Sequence, residues 1–319
     1  MVLSQALLGA VASSGVGVAY AGYFAGGNAG ITTVDRFLFA DDSRTTLGTG
    51  LTNQVRGTAG MSNAGVAGYF AGGDKSGAPD VFYTTVDKFA FANDARSTLS
   101  TGLSAATTVL TGMSNSGTAG YTAGGYDGDA AAFTTTVDKF AFADDGRTTL
   151  GTGLSAATGY LTGMSNSGTA GYTCGGSTAS GRVTTVDKFA FSDDGRTTLG
   201  TGLSTATAQF AGMSNSGTAG YTVGGRTDAD VQVDTVDKFA FADDGRTTLG
   251  TGLSAATRIL GAMANSGTAG YVGGGTTASG VVATVDKFAF SDDGRTTLGT
   301  GLSGARNSCT GMADSQALV

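Results

Sequence analysis

Along residues 184–191 apolar and polar side chains alternate as they do on a strand. Asp187, Phe189 and Phe191 fall on one side, and Val186, Lys188 and Ala190 on the other. Around this stretch, residues 156–204 divide into four short extended segments. Residues 156–165 open with small and apolar side chains. Asn166, Ser167, Gly168 and Thr169 interrupt them with residues suited to the positive φ of a tight hairpin. Residues 170–176 form a second strand, ending in the pair Gly175 and Gly176. A loop, residues 177–183, leads to the alternating third strand. Asp193, Asp194, Gly195 and Arg196 signal another hairpin, and residues 197–203 a fourth strand. No segment inside the unit carries the 3.6-residue period of a helix.

This unit is written six times. Its anchoring aspartate recurs as Asp35, Asp87, Asp138, Asp187, Asp237 and Asp286, at intervals of 49 to 52 residues. Repeats of this period stack into one body, because no unit can bury its apolar face alone. Small side chains facing bulky ones suit sheets packed face to face, and glycine-rich strands allow close backbone approach. After the sixth unit the chain continues with residues 303–315, a seventh copy of the first strand with nothing behind it. We expect it to complete the first unit. That leaves residues 1–13 as an N-terminal arm or first strand, and residues 14–319 as one domain.

Composition narrows the possibilities. Of 319 residues 56 are glycine, one is proline (Pro79), and 13% are charged. The chain is too regular and too rich in Phe, Val and Leu for disorder, and lacks collagen's three-residue period. Net charge is −7 and the pI about 4.5, with lysines and arginines scattered singly. A nucleic-acid partner would ask for a basic stripe, so none is expected. No apolar run reaches membrane-spanning length, and the N-terminus has no basic residue before its apolar part, as a secretory signal would. Cys174 and Cys309 sit at different points of the repeat and read as two free apolar thiols.

Four short antiparallel strands, a period near 50 and a glycine pair after the second strand resemble the kelch repeat. The pairs are Gly26 and Gly27, Gly72 and Gly73, Gly124 and Gly125, Gly175 and Gly176, Gly224 and Gly225, and Gly274 and Gly275. The kelch tyrosine and tryptophan are replaced, and there is no Trp. The resemblance implies an all-β, six-bladed β-propeller of four-stranded antiparallel blades, its ring closed by a terminal strand. The repeated Thr-Val-Asp-Lys-Phe and Gly-Met-Ser-Asn-Ser wording is also similar to repeat proteins of marine bacteriophages.

The copies differ at two points. One is the loop after each glycine pair; the other opens each first strand, at the pairs Val55 and Arg56, Thr108 and Val109, Gly159 and Tyr160, Gln209 and Phe210, Arg258 and Ile259, and Asn307 and Ser308. In a four-stranded meander both fall on one face, where loops on a rigid frame carry binding residues. The candidate binding residues are therefore Arg56, Lys75, Asp80, Tyr83, Tyr126, Asp127, Asp129, Tyr160, Arg182, Phe210, Arg226, Asp228, Asp230 and Arg258. The tyrosines and Phe210 offer stacking faces, the arginines hold carboxylates, and Asp127, Asp129, Asp228 and Asp230 could offer oxygens to Ca²⁺, though with too few ligands for a known loop. The repeated Asp-Asp-Gly-Arg turns and the Asp187–Lys188 pair read as surface ion pairs, each worth little.

With no histidine, copper-radical and His-based acid–base or nucleophilic schemes are excluded. No cofactor or metal is expected. The resulting expectation is a non-enzymatic binding or structural module of a phage virion (tail fibre, baseplate or capsid surface), virion-borne or extracellular. It would contact a host-surface glycan or protein through its variable face, and other virion proteins, or further copies of itself, elsewhere. The alternatives are a lyase or hydrolase acting on polysaccharide and an intracellular scaffold for another protein.

Overall fold

The computed structural model describes residues 20–28 and 31–314. The arm or first strand expected at residues 1–13 lies outside them.

Every described element is a β-strand, mostly of two to five residues. Each repeat makes one four-stranded antiparallel sheet. In the fourth these strands are Thr162–Asn166, Ala170–Cys174, Val186–Ala190 and Arg196–Thr198, paired in chain order. The register puts Met164 beside Tyr172, Tyr172 beside Lys188, and Lys188 beside Thr197. The second strand is buried along its whole length, which explains why it carries no charged residue. The last strand, Thr310–Ala313, pairs with Ala21–Ala25 and supplies the first sheet's fourth strand.

The kelch-like six-bladed β-propeller is corrected by the strand pairing. Among the described residues there are eleven small antiparallel sheets of two to four strands, and no sheet closes into a propeller or barrel ring. Two physical features account for this. The innermost strands meet their neighbours at glycine: a methyl group on Gly112 would overlap the Gly60 carbonyl oxygen, and one on Gly163 that of Gly112. Backbones pressed together there pack without forming a continuous ladder. In addition, the loops after the glycine pairs form short ladders of their own, such as Ser177–Thr178 with Gly181–Arg182, that the four-strand reading did not contain.

Between sheets, large side chains fill space left by small ones. Met164 packs where Gly220 of the next sheet has no side chain. Phe239 and Phe241 of the fifth sheet join Tyr172, Val186, Leu203 and Phe210 in a shared core, with the Tyr172 and Phe241 rings stacked at 5.2 Å. The anchoring aspartate is a correction too. Asp187 is buried, not a surface charge. Its carboxylate accepts the Ser155 amide at 2.7 Å and the Thr198 hydroxyl at 2.6 Å. Ser155 lies on the connection that enters the fourth sheet, so the aspartate ties each crossing to the sheet it enters. The Asp-Asp-Gly-Arg turn is also not a glycine turn: the left-handed residue is Asp194 (φ 57°), while Asp193 accepts the Gly195 amide at 2.9 Å. Ser43 and Ala95 replace that glycine in the first two repeats.

Candidate functional site

The residue that opens each inner strand takes up a left-handed conformation: Gly57, Val109, Tyr160, Gln209, Ile259 and Ser308 have φ between 50° and 64°. For Val and Ile this is an outlier, a strain of about 1–3 kcal/mol that persists only where surroundings enforce it. Here a cycle of six backbone hydrogen bonds does so. Val109 N–H donates to Gly57 O (2.8 Å), Tyr160 to Val109 (2.9 Å), Gln209 to Tyr160 (3.0 Å), Ile259 to Gln209 (2.6 Å), Ser308 to Ile259 (2.9 Å) and Gly57 to Ser308 (3.2 Å). These are single bonds between loops, distinct from the sheets. The cycle forms a collar whose backbone is constant and whose side chains differ.

All six collar residues line a cavity of about 520 Å³. One side of it is aromatic. Phe82, Tyr126, Phe133 and Tyr160 come from three successive repeats and brace one another, with centroid spacings of 6.0, 5.9 and 6.3 Å; all but Phe133 line the cavity. Phe82 lies over Gly128 and Phe133 over Gly159, where any side chain would collide with the ring. Beside the wall, Arg56 Nε donates to Asp74 at 3.0 Å, and Thr108 Oγ1 donates to the same buried carboxylate at 2.6 Å. Burial pushes the Tyr160 phenol up; nearby Arg56 opposes this and Asp74 adds to it. Two carboxylates, Asp74 and Asp80, and one guanidinium, Arg56, are among the lining residues. A second cavity of about 160 Å³ shares Gly60, Gly112, Gly163, Gly212 and Gly311 with the first, and two tiers of serines line it. Those serines serve the frame: Ser165 and Ser214, for example, accept backbone amides from the neighbouring strand at 2.8 Å.

Of the residues singled out from sequence, Arg56, Asp80, Tyr126, Tyr160 and Phe210 line the main cavity. Phe210 is nevertheless a buried core residue and Tyr83 packs between the first two sheets, so neither forms a stacking rim. Lys75 is exposed, away from the lining. Asp127 accepts the amides of Asp129 and Ala130 and so closes its own loop, with Asp129 exposed at the turn. Arg182, Arg226, Asp228 and Asp230 are spent on one another. Asp230 bridges Arg182 and Arg226 at 2.9 Å each, and Asp228 accepts the Arg182 amide. Arg258 donates to Gln209 Oε1 at 3.3 Å. No group of three or more metal-ligating side chains occurs among the described residues.

Sequence reasoning found the variable position but, in two residue pairs, not the member that joins the collar. It chose Phe210 over Gln209 and Arg258 over Ile259, and it missed Gly57, Asp74 and Phe82, which also line the cavity. Strict alignment on Tyr160 identifies the collar residues; nothing in the local pattern marks Asp74.

Among the described residues no helix is long and apolar enough to cross a membrane. No protein-family model matches the chain, and no curated protein matches it. The kelch and bacteriophage resemblances are therefore corrected. With them go the virion role with its host-surface contact, the polysaccharide-active enzyme and the intracellular scaffold, which find no support in any related protein and were built on a closed propeller that the strand pairing does not contain.

Proposed function

We propose that this protein binds a small soluble molecule with a flat ring face, held inside the cavity against Tyr126 and Tyr160. The observation that carries this reading is the one-sided aromatic wall. The frame repeats six times, yet Phe82, Tyr126 and Tyr160 occur on one side only, as a group that recognises a single ligand should. Their mutual bracing lowers the ordering cost of binding. The cavity volume falls in the range of small-molecule pockets, and its mixture of aromatic surface with a few fixed polar groups is typical of them. Arg56, held by Asp74, supplies directional hydrogen bonding beside the rings.

The test is saturation-transfer NMR with four soluble probes: glucuronate, N-acetylglucosamine, benzoate and uridine. Wild type is compared with Tyr160→Ala and Tyr126→Ala. Transfer to at least one probe, lost in both folded variants, is the expected result. Transfer to none, or transfer untouched by both substitutions, overturns the reading.

A further inference from the structure

Gln209 lies opposite Gly57 in the collar, three residues away in either direction around the cycle. Its backbone is fixed on both sides: its N–H donates to Tyr160 O, and its carbonyl accepts from Ile259 N–H. Its side chain is fixed as well. Arg258 Nη1 lies 3.3 Å from Gln209 Oε1. A guanidinium has only donors, so the amide must turn its oxygen to Arg258. The NH2 group then faces away from Arg258, and among the described residues it has no hydrogen-bond partner. The other collar side chains offer no amide: Val109 and Ile259 are apolar, Gly57 has none, and the Ser308 hydroxyl donates to Asn307 Oδ1. Across the mouth, beside Gly57, Arg56 uses only Nε on protein; its Nη1 and Nη2 make no hydrogen bond among the described residues.

The geometry points to Gln209 as a specificity-determining residue whose Nε2–H donates to a carbonyl or carboxylate oxygen of the ligand, with Arg258 as the residue that positions it. This rests on the cavity-binding reading above. The ligand class it selects is a ring carrying an acceptor oxygen, its flat face on Tyr160 and its far edge toward Arg56. The cavity's two carboxylates, Asp74 and Asp80, disfavour acceptors on their own side, which leaves Gln209 as the donor away from them.

The experiment measures affinities of glucuronate, N-acetylglucosamine, benzoate and uridine for wild type, Gln209→Leu, Gln209→Glu and Arg258→Met. The melting temperature confirms folding, and the Gln209 side-chain amide is followed by ¹⁵N NMR. Whichever probe binds, Gln209→Leu is expected to weaken it about tenfold, the worth of one lost hydrogen bond. Gln209→Glu should weaken the carboxylate probes more than uridine, because it exchanges a donor for a negative charge. Arg258→Met should shift the Gln209 amide resonance in the free protein and weaken binding less than Gln209→Leu does. The arms separate a carboxylate from a carbonyl acceptor. Wild-type binding that Gln209→Leu and Gln209→Glu leave unchanged overturns this inference and leaves the cavity reading standing. No binding by wild type overturns both.

Discussion

Tyr172 donates its hydroxyl proton to Asp244 of the next sheet at 2.9 Å. Lys188 reaches the same carboxylate at 2.8 Å and lies 5.3 Å from the centroid of the Tyr172 ring. One aspartate, at the left-handed position of its turn, thus receives a phenol and an ammonium from the neighbouring sheet. The pattern recurs at Tyr69 with Asp145, Tyr121 with Asp194, Tyr221 with Asp293, and Tyr271 with Asp42; at Asp94, Arg36 replaces the lysine beside Tyr23. Replacing Asp244 by Ala leaves a buried phenol and a half-buried ammonium without their acceptor, and puts a residue with a Cβ and no local hydrogen bond at φ 57°. A loss of about 1–3 kcal/mol is expected. Asp244→Asn keeps an acceptor and tolerates the left-handed conformation, so it should cost less. Urea denaturation of both variants checks the order; equal losses would mean that the acceptor contributes nothing.

Glycines in this chain are not equivalent, and two substitutions should separate them. Gly112→Ala drives a methyl group into the Gly60 carbonyl. Backbone cannot move aside like a flexible side chain, so a loss of about 1–3 kcal/mol or more is expected. The one alanine at this position, Ala262, follows Gly261, where the other inner strands have alanine or threonine. Gly195→Ala, by contrast, adds a methyl at a residue with no positive φ, against the Asp193 carboxylate at 3.0 Å. Ala95 already occupies the matching turn. Its effect should be close to neutral. A Gly195→Ala variant as damaged as Gly112→Ala would show that the turn needs glycine after all.

What could be read from the chain divides by range. The four strands of residues 156–204 were legible because alternation and turn residues are local signals. The role of Asp187 was not, because its partner Ser155 lies 32 residues away and nothing nearby marks the pair. The turn at Asp194 was misread because Asp-Gly is a common hairpin signal, and only the dihedral reveals which residue turns. Six repeats counted six four-stranded sheets correctly, but a repeat count does not say how sheets join. The propeller expectation failed there: contacts between inner strands at Gly60, Gly112 and Gly163 are packing, and no ladder runs through them. For the site, six variable positions were visible. Which residue of each pair takes the collar position depends on left-handed backbone at Gln209 and Ile259, and composition does not announce that.

Arg306 should matter more than its single occurrence suggests. It stands where other repeats have Thr107, Thr158, Thr207 and Thr257, and its buried guanidinium donates to Asp35 at 2.9 Å and to the Phe24 carbonyl at 3.2 Å. It thereby ties the final segment to the first sheet. Burial pushes the Asp35 carboxyl up, but the Ser303 amide, the Thr46 hydroxyl and Arg306 outweigh it and hold it below the usual carboxylate range. A depressed carboxyl contributes stability above its unfolded pKa of about 3.9, lost as pH falls through the lower folded value. Arg306→Ala is expected to cost about 3–5 kcal/mol at neutral pH, because it leaves a buried charge short of a partner. It should also flatten the loss of stability on acidification below about pH 4, which urea melts across that range measure. An unchanged acid dependence would exclude Arg306 as a source of the shift.

The stacked tyrosines set an alkaline limit. Tyr121 is pushed up to about 12 by burial first, then by its hydrogen bond to the Asp194 carboxylate, with Lys139 opposing. Tyr69, Tyr172, Tyr221 and Tyr271 are raised for the same two reasons. For a group raised in the folded state, stability is fully present below the unfolded pKa of about 10 and is lost as pH rises through the folded value. The unfolded chain releases phenol protons that the folded one retains, so several tyrosines push toward unfolding together. Phenolate absorbance should therefore rise cooperatively with loss of circular dichroism above pH 10, and not as independent titrations. Tyr121→Phe removes one such group. It should lower stability slightly at neutral pH, by about 1 kcal/mol for the lost hydrogen bond, yet move the alkaline midpoint upward relative to its own neutral stability. Tyrosines that titrate independently near pH 10 while the fold persists would show that the phenols are open to solvent, and that the bonds between sheets at Asp145, Asp194, Asp244, Asp293 and Asp42 do not form.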